Sequence, residues 1–127
     1  MNRYAVWFRW VVVLGILVNL FFALPGIFIP NAVLALAGYA PTDEPVWPGA
    51  ANLLLLLLSL FYIPGAVDPF RYTPVAWLAI VARFAGATYF LCLWPEYPLF
   101  GYIDLPFGVV ESVLLVVALR RGPDPEY

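Results

Sequence analysis

Four apolar runs, each close to the length of a bilayer crossing and set apart by clusters of proline and glycine, constrain this chain more than any other feature. A hydrocarbon core of roughly 30 Å takes about 20 mostly apolar residues in a helix. The runs cover 7–24, 47–64, 74–94 and 105–120, and the second holds consecutive leucines at 53–58. The first is extendable through a bend at Pro25 to about residue 28. Pro41, Pro45 and Pro48 precede the second run, Pro64, Gly65, Pro69 and Pro74 the third, and Pro95, Pro98 and Gly101 the fourth. Gly122 and Pro123 close the last helix, and 124–127 form a polar tail. The stretch 30–38 is apolar but too short for a fifth crossing; it lies along the outer interface or re-enters slightly. Arg3 precedes the first run as in a signal peptide. The run continues to position 29 with no small-x-small site after it, which predicts a retained helix.

The chain has 127 residues, of which 65% are apolar and 11% charged. A small soluble domain has too little interior to bury that much apolar surface, whereas a bilayer serves as its solvent. The expected fold is therefore all-α: one domain over 1–127, an integral-membrane bundle of four transmembrane helices.

Arginine placement gives the expected orientation. Arg3 lies before the first span, Arg71 between the second and third, and Arg120 and Arg121 after the fourth. With four spans these positions share one side. The other two connections carry only Asp43, Glu44, Glu96 and Asp104. Positive residues stay in the cytoplasm, so both termini are expected there. Trp7, Trp10, Trp47, Trp94, Tyr97 and Tyr102 fall near span ends, as interfacial aromatic belts do.

Each span carries one small or polar face: Gly15, Asn19 and Ala23; Gly49, Asn52 and Ser59; Ala76, Ala79, Arg83 and Gly86; Asp104, Gly108 and Glu111. Small residues let helix backbones approach, and polar ones bond across helices rather than face lipid. Counted from their cytoplasmic ends, Arg83 and Glu111 are both roughly 14 Å deep. Opposite charges at one depth offset the cost of burying either, about 2.5–3.5 kcal/mol on insertion scales. An Arg83–Glu111 ion pair, or a network that also takes in Asn52 and Asn19, is the expected polar core. It serves either to fix helix register or to hold a polar headgroup, a quinone-like ligand or a proton path. Arg9 reads as an interfacial arginine whose head snorkels to the surface. Asp68 and Arg71 read as a local turn closed by a salt bridge, or as a cytoplasmic contact site. Cys92 reads as a small packing residue.

Several functions are excluded at this level. The net charge is −2, with six arginines and no lysine, and no clustered basic surface suits nucleic acid. With no histidine, bis-histidine haem ligation, histidine-based zinc sites and Ser/His/Asp catalysis cannot be built within the chain. No metal site and no catalytic residue is expected. Carboxylates, arginine, Tyr62 and Tyr89 are capable of acid–base work, but nothing sets them in a catalytic arrangement.

The four-span architecture, with Arg9, Leu14 and Gly15 opening the first span, resembles the DoxX-like group of small bacterial membrane proteins. There an arginine is followed closely by leucine and glycine; the spacing here is longer. The resemblance implies a bacterial inner-membrane location and an accessory role beside membrane redox enzymes, one of them a quinone oxidoreductase. It carries over no catalytic residue. Two functions follow as expectations: a non-catalytic accessory subunit of a larger inner-membrane complex, or a binding protein or small transporter for a quinone or lipid. Expected partners are membrane lipids and other membrane subunits or further copies of the chain.

Overall fold

A computed structural model describes residues 1–124; of the expected polar tail, 125–127 lie outside the described residues. The described chain is helical, with no strand: α1 (Arg3–Phe28), α2 (Pro30–Leu36), α3 (Val46–Phe61), α4 (Ile63–Val67), α5 (Thr73–Thr88) with a π-helical turn (Tyr89–Leu93) at its end, and α6 (Leu99–Arg121). Four stretches are long and apolar enough to cross a membrane: Arg3–Phe28, Val46–Val67, Thr73–Leu93 and Leu99–Arg121. Pro25 lies inside α1 and Pro106 inside α6, and each helix runs on through its proline. The apolar stretch at 30–38 folds as the short helix α2, opened by Pro30 and followed by Gly38 at φ 85°. A positive φ there is inexpensive only for a residue without Cβ.

α1 and α6 overrun their apolar windows, and α6 starts at Leu99 rather than near 105. Pro98 caps it from outside the first turn, and proline is no obstacle there. Gly101 is buried, and a Cβ on it would stand 2.6 Å from Leu91 Cγ. Gly101 is thus a point of close approach between α6 and the π-helical turn, not a helix breaker. This brings Asp104 inside the helix.

The chain divides into two compact units, one of Met1–Gly15 with the residues from Tyr62 onward, the other Ile16–Phe61. In the second unit α3 lies close against the latter part of α1. A Cβ on Gly49 would stand 3.5 Å from the Ile27 carbonyl oxygen, and one on Gly26 would overlap the Asn52 amide.

In the first unit small residues line the helix contacts: Ala5, Ala66, Ala76, Ala79, Ala87 and Ala118 are buried, around the larger Phe8, Val12 and Leu115. Here the start of α1 is fastened to the end of α6 by a buried residue with no counterpart among the expected site residues. Asn2 Oδ1 accepts from the Ala5 N–H (3.0 Å), capping α1. Its Nδ2 donates to the carbonyls of Ala118 (3.0 Å), which also accepts from the Gly122 N–H (3.1 Å), and of Gly122 (2.7 Å), just past the end of α6. Replacing Asn2 by alanine removes the cap and both cross-links. The expected loss is about 2 kcal/mol, read as a lower unfolding midpoint in detergent; an unchanged midpoint would show that the fastening adds nothing.

The α4–α5 connection joins the same end. Arg9 Nη2 donates to the carbonyl of Val67 (2.8 Å), the last residue of α4. Its head is therefore engaged by a helix terminus and not simply drawn to solvent; a cation suits that position, where carbonyl dipoles accumulate. Asp68 and Arg71 do form a local turn, but not through a salt bridge. Asp68 Oδ1 accepts from the backbone N–H groups of Phe70 (3.2 Å) and Arg71 (3.1 Å), and the Arg71 guanidinium lies 5.3 Å from the Tyr72 ring centre. A short aspartate side chain reaches the backbone two and three residues on more readily than a neighbouring side chain.

Candidate functional site

The polar faces of α5 and α6 meet in the first unit, where glycines set the register. A Cβ on Gly108 would stand 3.3 Å from Arg83 Cβ, and one on Gly86 would overlap the Asp104 carboxylate. The two antiparallel helices are therefore locked with Arg83 beside Gly108 and Asp104 beside Gly86. Between them the Arg83 side chain runs one turn along to Asp104, and its Nη1 donates to Asp104 Oδ1 at 2.8 Å. The guanidinium carbon lies 4.8 Å from the Phe107 ring centre, within cation–π range. Gly15 of α1 completes the slot, since a Cβ there would stand 2.5 Å from Arg83 Nη2.

The carboxylate paired with Arg83 is thus Asp104 and not the expected Glu111. The reason is register. With Arg83 beside Gly108, Arg120 stands level with Arg71 and not with Pro74. Counting depth from Pro74 on one helix and Arg120 on the other therefore misaligned them by about one turn. Glu111 lies a turn to the other side, level with Ala79 and Ile80, which are buried.

Glu111 is nevertheless interior. It is 2% exposed, and its Oε2 has no hydrogen-bond partner. It stands within electrostatic range of both Arg83 and Asp104, and Tyr62, itself buried, stands within range of all three. The first unit therefore gathers one guanidinium and two carboxyl groups in its interior, and one carboxyl oxygen is left over after the ion pair forms. Buried polar atoms are almost always partnered in folded proteins, so an orphaned carboxyl oxygen calls for a reason.

The two asparagines expected in the core belong to the second unit. There Asn19 Nδ2 donates to Ser59 Oγ (3.0 Å), and that hydroxyl donates onward to the Leu55 carbonyl (2.8 Å). Asn52 Nδ2 donates to the Pro48 carbonyl one turn back (2.8 Å), and its amide occupies the space that the missing side chain of Gly26 leaves. Asn19 joins α1 to α3 by a hydrogen bond; Asn52 does so by shape.

Among the described residues no group of three or more histidine, cysteine or acidic side chains is placed to hold a metal ion. Cys92 is exposed. Comparison with protein-family models, with curated proteins and with solved structures finds no match to this chain.

Proposed function

We propose that this is a multi-pass membrane protein that holds the polar head of a hydrophobic ligand at the Arg83–Asp104–Glu111 centre. The observation that carries the reading is the Glu111 oxygen left without a partner in the interior of a helix long and apolar enough to span a bilayer. A pair that served only to fix helix register would be complete with Arg83 and Asp104. A second carboxyl group beside it is costly to bury and offers an acceptor for a hydrogen bond from outside the chain. The head group that suits it carries an O–H or N–H donor: the phenolic hydroxyl of a quinol, or a hydroxyl of a lipid headgroup. Among the described residues no third acidic, histidine or cysteine side chain joins Glu111 and Asp104, and binding rather than catalysis is the role proposed.

The location that fits is the bacterial inner membrane, with both termini in the cytoplasm. In the first unit the contacts of Asn2 and Arg9 draw together the start of α1, the α4–α5 connection and the end of α6. That end carries Arg3, Arg9, Arg71, Arg120 and Arg121, as the positive-inside rule requires of a cytoplasmic face.

Glu111→Gln keeps size and shape but weakens the acceptor. A hydrogen bond to a charged group contributes about 1.5–3 kcal/mol, so quinol or lipid retained through mild extraction should fall about tenfold or more. Mass spectrometry of the extracted small molecules reads this directly. Equal ligand content in the two proteins, or a stable wild-type monomer free of ligand, would overturn the reading.

The second reading, an accessory subunit of a larger membrane complex, is favoured by α3. Its Leu53, Leu54, Leu57, Leu58, Leu60 and Phe61 are all exposed, an apolar surface suited to a partner helix as well as to lipid. Purification with one specific large partner, and instability without it, distinguishes this from ligand binding.

A further inference from the structure

Five of the six arginines gather at one end of the first unit, and two of them share an aromatic ring. The guanidinium carbon of Arg3 lies 5.2 Å from the centre of the Tyr4 ring, and that of Arg121 lies 4.9 Å from it. Arg3 also lies 5.7 Å from the Trp7 ring centre, and Tyr4 and Trp7 meet edge to face. Arg3 Nη2 also donates to the Tyr4 hydroxyl (3.3 Å), so both cations stand beside one ring, and an anion bound there would offset their repulsion. The carboxylates described at this end are already engaged: Asp124 with the N-terminal amine at 3.8 Å, and Asp68 with two backbone N–H groups. Arg3 and Arg121 are both exposed, and neither pairs with a carboxylate among the described residues.

Below Arg3 on α1, Trp7, Trp10 and Leu14 follow at spacings of four, three and four residues, which places all four on one stripe. Trp7 is 49% exposed, Trp10 61% and Leu14 54%. From Arg3 to Leu14 the stripe is roughly 16 Å long, close to half of a bilayer core of about 30 Å. A bare phosphate would use the arginines and ignore the stripe, and a peptide would have no need of a leaflet's length of apolar surface. We infer that this end of the protein is a binding site for an anionic phospholipid, its phosphodiester bridging Arg3 and Arg121 over Tyr4 and one acyl chain lying along Trp7, Trp10 and Leu14. Two guanidiniums match the phosphate oxygens, and the aromatic belt lies at headgroup depth. The inference rests on the membrane placement proposed above, but not on the Glu111 site.

The test is native mass spectrometry of the full chain in mild detergent, with dioleoyl phosphatidylglycerol or dioleoyl phosphatidylcholine added. At about fivefold for each arginine near an anionic headgroup, the pair should give phosphatidylglycerol about a 30-fold preference. Arg3→Gln and Arg121→Gln together should abolish that preference, while Arg71→Gln leaves it within about twofold. Wild-type binding of phosphatidylglycerol should also weaken as salt is raised, a measurement that needs no variant. Equal binding of the two lipids, loss of preference in Arg71→Gln, or indifference to salt overturns the site while leaving the membrane placement intact. Competition by inorganic phosphate at equal concentration would mean that the arginines take a bare anion, and would overturn the lipid assignment. A chain that stays monodisperse in water without detergent would instead remove the membrane placement.

Discussion

Replacing Asp104 by alanine is expected to lower the stability of this protein by about 3 kcal/mol, the largest loss from any one side chain outside the packed core. Arg83 is 4% exposed, its Cβ lies against Gly108, and its guanidinium lies against Gly15 and Phe107. Without the Asp104 carboxylate it remains a buried cation beside an aromatic face. Glu111 lies about one turn to the other side of Gly108, so the Arg83 side chain would have to turn round to reach it. Removing both charges with apolar side chains of similar volume, Arg83→Met with Asp104→Leu, should recover much of the loss. The main cost arises from keeping a buried charge that has lost its carboxylate and not from the missing attraction. Glu111→Ala should cost markedly less, because its Oε2 has no bond to lose. Unfolding midpoints of the four proteins in one detergent decide the matter. If Glu111→Ala is as damaging as Asp104→Ala, or the double variant is as poor as the single ones, the assignment of the ion pair fails.

The second large effect is expected at Gly65, in α4. A Cβ there would stand 2.7 Å from the backbone nitrogen of Ala76 and 3.0 Å from its Cα. Both are main-chain atoms of α5 and cannot swing aside as a flexible side chain does. In a free helix, glycine to alanine is stabilising by roughly 0.5–1 kcal/mol. Here the clash should outweigh that gain and leave a net loss of about 2 kcal/mol, in the range of an overpacked core. Gly38→Ala is the useful contrast, since nothing lies within 4 Å of a Cβ there and the strain comes only from φ 85°. A Gly65→Ala protein that melts at or above the wild-type midpoint would show that α4 and α5 separate readily.

Much of the architecture is legible in the apolar runs because a transmembrane helix is a local object. Its backbone bonds are satisfied within the segment, so length and hydropathy suffice to locate it. The small and polar faces were equally legible: Gly86 with Asp104, Gly108 with Arg83 and Asn19 with Ser59 all meet through residues whose spacing had placed them on one face. Harder to read were the helix ends. Pro98 and Gly101 look like a connection, yet one caps α6 and the other packs inside it, because proline is harmless at a helix start and glycine in a helix permits close approach. Asn2 was invisible for a different reason. Two of its three bonds join positions about as far apart in the chain as any two can be, and nothing about a lone asparagine near a terminus signals that.

The sequence alone was sufficient to determine that the chain makes four long apolar helices, which faces of those helices are small or polar, and that its arginines favour one end. These follow from composition and period, which are properties of each segment by itself. Which carboxylate Arg83 takes was decided only by the tertiary structure. Pairing depends on the sliding register of α5 against α6, and that register is set by where Gly86 and Gly108 let the backbones close. A shift of one turn exchanges Asp104 for Glu111. The shift leaves every helix and every face unchanged, yet it decides which carboxyl group is paired and which keeps an oxygen without a hydrogen-bond partner.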